Sequence, residues 1–96
     1  MAENLDGLFE NMRGQIVVLD TQGTILYVGT LEAVAGDCLV LVNADVHDST
    51  ESRASKELYL LETRELGVRT NRRRVVVDRR VIISASLLTD VTETAE

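Results

Sequence analysis

This sequence has no proline and no tryptophan, one cysteine, one histidine, and three aromatic residues, Phe9, Tyr27 and Tyr59, among 96. Each scarcity excludes something. Cys38, alone, forms neither an internal disulfide nor a multi-cysteine metal site. His47 has no second histidine beside which to hold a metal, and none is left to activate Cys38 as a nucleophile. With so few rings, the core must be aliphatic. No apolar run approaches the roughly 18 residues of a membrane-spanning helix. Met1-Ala2-Glu3-Asn4 lacks the basic start and apolar core of a signal peptide, so a cytoplasmic, reducing setting without a membrane partner is expected. A glycine-rich phosphate loop, a dinucleotide fingerprint and paired carboxylates in apolar surroundings are all missing, so neither an enzyme nor a cofactor is expected.

What is present is a β pattern. Residues 15–20 form an apolar run rich in Val and Ile, types that fit a pleated, half-buried surface. Gln22-Gly23 supplies a reversal, on the expectation that the glycine takes positive φ. In the second strand, residues 24–34, Ile25, Tyr27, Gly29 and Leu31 share one face, and Leu26, Val28 and Thr30 the other. Gly36-Asp37 breaks the chain again. Residues 38–44 are almost continuously apolar, which predicts burial on both faces, as in a closed barrel or an oligomer, with Cys38 as a small core residue.

A short helix precedes these strands. Leu5, Leu8, Phe9 and Met12 fall on one stripe, Asn4 is placed to cap its start, and Gly14 lies where it would stop. The stripe is expected to lie over the open end of the core. After Ala44, residues 45–55 read as a polar loop, with Asp48 and Glu51 at capping-box spacing for a helix start. Asp45, His47 and Asp48 are metal-ligating types, but three neighbouring loop residues without a distant partner carry no metal site. Residues 56–66 favour helix, with Gly67 at its end and Leu58, Tyr59, Leu61 and Leu66 on an apolar side. A strand over residues 58–61 is the competing reading, and an exposed Tyr59 and Leu60 would make that helix a partner surface. A hairpin closes the pattern: residues 72–77, a polar turn at Asp78-Arg79-Arg80, then residues 81–87. Residues 88–91 extend the second strand, and the tail 92–96 frays.

Charge is unevenly placed. The net charge is −6, yet six of the ten Lys and Arg residues lie between Arg69 and Arg80, opposed there only by Asp78. A globally acidic chain is not a general polyanion binder. One basic segment allows either a local anion site or a solvated arginine-rich hairpin.

The order of a helix, three strands, a variable insert and two strands, with a glycine in the long second strand, resembles the Sm and Sm-like fold. Gly14, Val17, Leu19, Gly23, Tyr27, Gly29 and Leu31 match the first Sm motif, and residues 75–84 (VVVDRRVIIS) stand in the place of the second. Residues 45–71 occupy the position where that family inserts residues. The resemblance implies a mainly β fold, a five-stranded, strongly bent antiparallel barrel of one domain over residues 1–96, with an N-terminal helix and a helix inserted between strands three and four. It also implies a cyclic homo-oligomer of about five to seven copies, closed by the fourth strand of one protomer against the fifth of the next. Val75, Val76, Val77, Val81, Ile82 and Ile83 are then the candidate interface residues. Gly29 fits a barrel corner, where a Cβ would crowd the crossing strand.

Rings of this family bind single-stranded, often uridine-rich RNA around a central pore, through the turns between strands two and three and between strands four and five. Here Gly36 falls at the stacking position and Cys38 at that of the base-reading Asn, while Asp78-Arg79 stands where Arg-Gly is usual. Taking Asp37 as the family's acid leaves no Asn at the right distance. The resemblance therefore leaves Arg79 and Arg80, with Asp78 and Asp37, as candidate RNA contacts through phosphate rather than base. Assembly without nucleic acid is the alternative. Arg72, Arg73 and Arg74 alternate along a strand and cannot share one face.

Overall fold

The structure, a computed structural model, describes residues 2–51 and 53–93, and of residues 2–6 the backbone alone. The helix already runs from Ala2, so Asn4 lies inside it and does not cap its start; the place of the Leu5 side chain on the helical stripe and the last residues of the tail, 94–96, lie outside the described residues. The element order is α1 (Ala2–Asn11), β1 (Ile16–Thr21), β2 (Ile25–Ala35), β3 (Cys38–Asp48), α2 (Lys56–Leu66), β4 (Arg72–Asp78) and β5 (Ile82–Leu87). The five strands make one antiparallel sheet in the order β4-β3-β2-β1-β5, so β4 and β5 are its two edges and the sheet stays open between them.

The sheet bends where its ladders slip. Between β2 and β3 the register shifts between Val28 and Thr30 and again between Leu31 and Ala33; between β1 and β5 it shifts at Asp20 and Thr21. At the first slip Asn43 takes φ 51°, and Gly29 comes so close to β3 that an added Cβ would lie 2.8 Å from Ala44 Cβ and 2.9 Å from Ala44 Cα. Such bulges add local twist and turn the strand. Glycine at position 29 is therefore required by contact, since its φ is ordinary. Gly23 is the opposite case: it does not take the positive φ expected of it. Instead Thr21 Oγ1 accepts from Gly23 N and donates to Ile25 O, at 3.3 and 2.8 Å, and so shapes that turn.

Burial falls on both faces of the bent sheet, which explains why Val17, Val18 and Leu19 are all buried in succession. Val17, Leu19, Leu31, Leu39, Leu41 and Val77 pack with Phe9 of α1 into a first cluster, so α1 does cover the core as expected. Leu8, expected on the same stripe, is instead 57% exposed. Val18, Leu26 and Val28 form a second cluster with Leu60 of α2 and Leu88. β3 is only partly buried on its second face: Leu39 and Leu41 are buried, whereas Cys38, Val40 and Val42 are intermediate.

The segment after Ala44 departs from expectation. Residues 45–48 are not loop: they continue β3 and pair with residues 25–28 of β2, an extension that a polar sequence hides because its neighbours, not its own hydrophobicity, set the ladder. Asp48 caps a 3-10 turn at Ser49–Glu51 by accepting from Thr50 N at 2.9 Å, so it does not start the helix. Ser55 does, accepting from Leu58 N at 3.1 Å. α2 ends at Gly67 (φ 98°) as expected, but its buried side is Leu60 with Thr63, while Leu58 and Leu66 are 47% and 86% exposed. With Leu60 buried, the partner surface built on an exposed Tyr59 and Leu60 is not available. Residues 88–90 form a 3-10 turn rather than extending β5.

A polar clamp fixes α2 to β3. Tyr59 OH donates to the buried Asp45 at 2.5 Å, Asn71 Nδ2 donates to the other oxygen of that carboxylate at 3.0 Å, and the rings of Tyr59 and His47 stack 3.7 Å apart, 7° from parallel. Burial first, then the contact with Asp45, holds the Tyr59 phenol protonated far above its usual range. At the first residue of α2, Lys56 Nζ meets Asp20 at 2.9 Å, and near its last Arg64 donates to Val91 O. His47 and Asp45 are thus structural groups in a strand. Gly29→Ala should cost about 1–3 kcal/mol by overpacking, measured from chemical denaturation, with partial recovery on adding Ala44→Gly; an unchanged midpoint would mean the corner has room. Tyr59→Phe should cost about 1–3 kcal/mol, because Asp45 stays buried with one donor lost. Amide exchange along α2 should rise with it, and a loss of stability without that rise would place the clamp elsewhere.

Candidate nucleic-acid interface

Two turns meet at one end of the sheet. Gly36 takes φ 56° to reverse β2 into β3, and Cys38 at the start of β3 pairs with Asp78 at the end of β4. Arg79 N then donates to Asp37 O at 2.8 Å, tying the two turns together. The four candidate residues Asp37, Asp78, Arg79 and Arg80 are therefore brought into one patch, although 41 positions of sequence separate the first two by simple numbering.

The two arginines have different fates within it. Asp78 ends β4 and caps a 3-10 turn at Arg79–Val81: its Oδ1 accepts from Arg80 N at 2.9 Å. The same carboxylate accepts from Arg80 Nε at 3.1 Å and Nη2 at 2.7 Å, so Arg80 folds back on its own turn while its side chain stays 82% exposed. These contacts, the guanidinium first and the backbone N–H second, hold the Asp78 carboxyl down at about 2, and Asp78 in return holds Arg80 protonated. Arg79 is half-buried, with its guanidinium carbon 5.3 Å from the centre of the Phe9 ring, a cation–π distance. Its charge is thus placed against α1, and Arg80 is the cation that faces solvent. Phe9 was legible in the sequence only as core; nothing in the pattern marks it as the platform beneath Arg79.

The candidate interface residues divide in the same way. Val77 is buried in the chain's own first core and Val75 packs against it, so on β4 only Val76, 61% exposed, offers a free apolar side chain. Val81, at the end of the 3-10 turn, and Ile83 of β5 are 37% and 63% exposed, and Ile82 is partly buried. Ile83 lies at the bulge, between the pairs Asp20–Ser84 and Thr21–Ile82. Beside it, Leu8, Phe9, Met12, Arg79 and Ile82 line a shallow groove of about 270 Å³ between α1 and β5. Farther along β4, Arg72, Arg73 and Arg74 are all exposed, and Arg74 pairs with Glu32 at 2.9 Å. Among the described residues no cluster of His, Cys, Asp and Glu is arranged to hold a metal, and no helix is long and apolar enough to cross a membrane.

Asp78 gives a direct test of the turn. A carboxylate held at about 2 contributes stability that is complete above its unfolded value and is lost as pH falls through about 2. Its carboxyl resonance should titrate near that value, and Arg80→Ala should move the midpoint up toward, but not to, the ordinary 3.8, because the backbone N–H bond remains. A midpoint at 3.8 in the unsubstituted protein would exclude the contact.

No family model matches the chain, and no curated protein is similar to it in sequence. Among solved structures, the chain is similar to an Sm protein of Pyrococcus abyssii determined in complex with a uridine heptamer, with a TM-score of 0.60 and 13% identity over 86% of this chain and 94% of that one. Identity this low leaves the backbone arrangement alone as the shared property. This chain carries the Sm fold.

Proposed function

We propose that residues 1–96 form one Sm-like domain that assembles as a cyclic homo-oligomer and holds single-stranded RNA, or a similar polyanion, at the turns facing the central axis. The observation that carries this reading is the open sheet: β4 and β5 are both edges, each with a row of backbone donors and acceptors that no strand among the described residues satisfies. Pairing β4 of one copy with β5 of the next satisfies both rows and repeats around an axis. Val76 on one edge and Val81, Ile83 and the α1–β5 groove on the other supply apolar surface for that junction.

Such a ring gathers the patch of Asp37, Asp78, Arg79 and Arg80 from every copy. Arg80 is the exposed phosphate contact, since a guanidinium matches phosphate oxygens in a fork. Gly36 and Cys38 lack the stacking surface and the amide edge for reading a base, so binding follows phosphate rather than sequence. No chemistry is assigned to the patch. The Asp78–Arg80 contact favours a second reading, in which the ring is a scaffold without nucleic acid, because the carboxylate already satisfies the guanidinium.

Light scattering should give a mass of several protomers. Single-stranded RNA oligonucleotides, uridine-rich or mixed, should bind with similar affinity that falls steeply between low and moderate salt. Arg80→Ala should weaken that binding, and Arg79→Ala with Arg80→Ala should abolish it. A ring with no affinity at low salt would establish the scaffold reading, and a monomer would remove both.

A further inference from the structure

We propose that Arg72 of one copy forms ion pairs with Asp90 and Glu93 of the next, so that the two edges of the sheet select each other by charge. This rests on the ring reading above, and it adds the residues that give the junction its direction.

Alternation along β4 places the side chains. Val75 and Val77 face the first core beneath α1, so Arg74 and Val76 face the opposite side of the sheet, while Arg72 stands at the start of the strand opposite Ala44. Arg74 is already held by Glu32 at 2.9 Å. Arg72 has no acidic partner among the described residues; its Nη1 donates to Asn71 O at 3.0 Å. At the other edge, β5 leads into the 3-10 turn Leu88–Asp90, and Leu88 and Val91 pack on the second core, the side that α2 covers. Asp90 and Glu93 stand exposed there without an ion pair among the described residues. The cation at the start of one edge strand and the acids just past the end of the other are thus all exposed and without an ion pair among the described residues.

Strand direction brings them together. β4 ends and β5 begins at the same turn, so an antiparallel junction between copies, with the turns at one end, sets the first residue of β4 beside the last residues of β5. The first residue of β4 is Arg72, and the residues that follow β5 include Asp90. A β4–β4 contact would bring Asp90 and Glu93 no cation. An exposed ion pair contributes little by itself, about a factor of two to five. Its value here is selectivity, repeated at every junction.

Dilution of the full chain at low salt, followed by light scattering, tests this. Arg72→Glu should raise the concentration at which the assembly dissociates by about ten-fold, as should Asp90→Arg with Glu93→Arg, since each replaces attraction by repulsion. Combining all three substitutions in one chain should return the midpoint to within about two-fold of the starting protein, and moderate salt should reduce every difference. Circular dichroism checks that each variant stays folded. An assembly that is indifferent to the single-edge variants, or not restored by the combination, overturns the proposal while leaving the ring reading intact. A starting protein that is monomeric throughout overturns both.

Discussion

The approach of Gly29 to Ala44 is the contact on which the rest of the architecture depends. Two long strands, β2 and β3, run side by side for most of the sheet, and a flat pair of that length would bury only one face. The bulge at Asn43 and the absence of a side chain at position 29 let the pair fold over itself, so that Val17, Leu19, Leu31, Leu39 and Leu41 converge under Phe9. The same curvature carries β1 and β5 round toward β4 without bringing the two edges into pairing. An alanine at 29 would oppose the curvature from within the core, where close packing leaves little to yield.

Aliphatic side chains fill both sides of this bend because each side has its own cover. α1 closes the first with one aromatic ring, Phe9, and α2 closes the second with Leu60. The second cover is held less by apolar area than by hydrogen bonds: Tyr59 to Asp45, Asn71 to Asp45, and Lys56 to Asp20. A chain with three aromatic residues has thus placed two of them at polar duties, one in the α2 clamp and one beneath Arg79.

What the sequence revealed and what it concealed follow from the range of the interactions. The helix at 56–66, its stop at Gly67 and the alternating faces of β2 were legible because local propensity and period two act over a few residues, whereas the role of Gly29, set by Ala44 fifteen positions on, was legible through the resemblance in strand order. The extension of β3 through Asp48 was not, because Asp45, His47 and Asp48 are drawn into the ladder by β2, some twenty positions earlier. The true helix cap is Ser55, one of several Ser and Asp residues in that stretch, and only the geometry separates it from Asp48. At the candidate interface the four residues were found, yet the sequence gives no sign that Asp78 would hold Arg80 or that Arg79 would lie over Phe9, since the first competes with solvent and the second joins residues 70 apart.

An open sheet also carries a hazard, and the unequal treatment of its edges bears on function. Unpaired strands join other chains indiscriminately unless something discourages it, and charge on an edge strand is a common deterrent. β4 starts with three exposed arginines, charge that discourages indiscriminate pairing along this edge. β5 is interrupted by the bulge at Ile83 and lacks a regular free ladder to offer another β5. Both edges are thereby guarded, by charge on one and irregularity on the other. The proposed junction joins unlike edges, and a heterologous contact repeated with constant rotation closes into a ring or winds into a fibre. In the ring proposed above, the curvature set at Gly29 would fix the angle between the two edges of a protomer, and with it the number of copies that closes the circle.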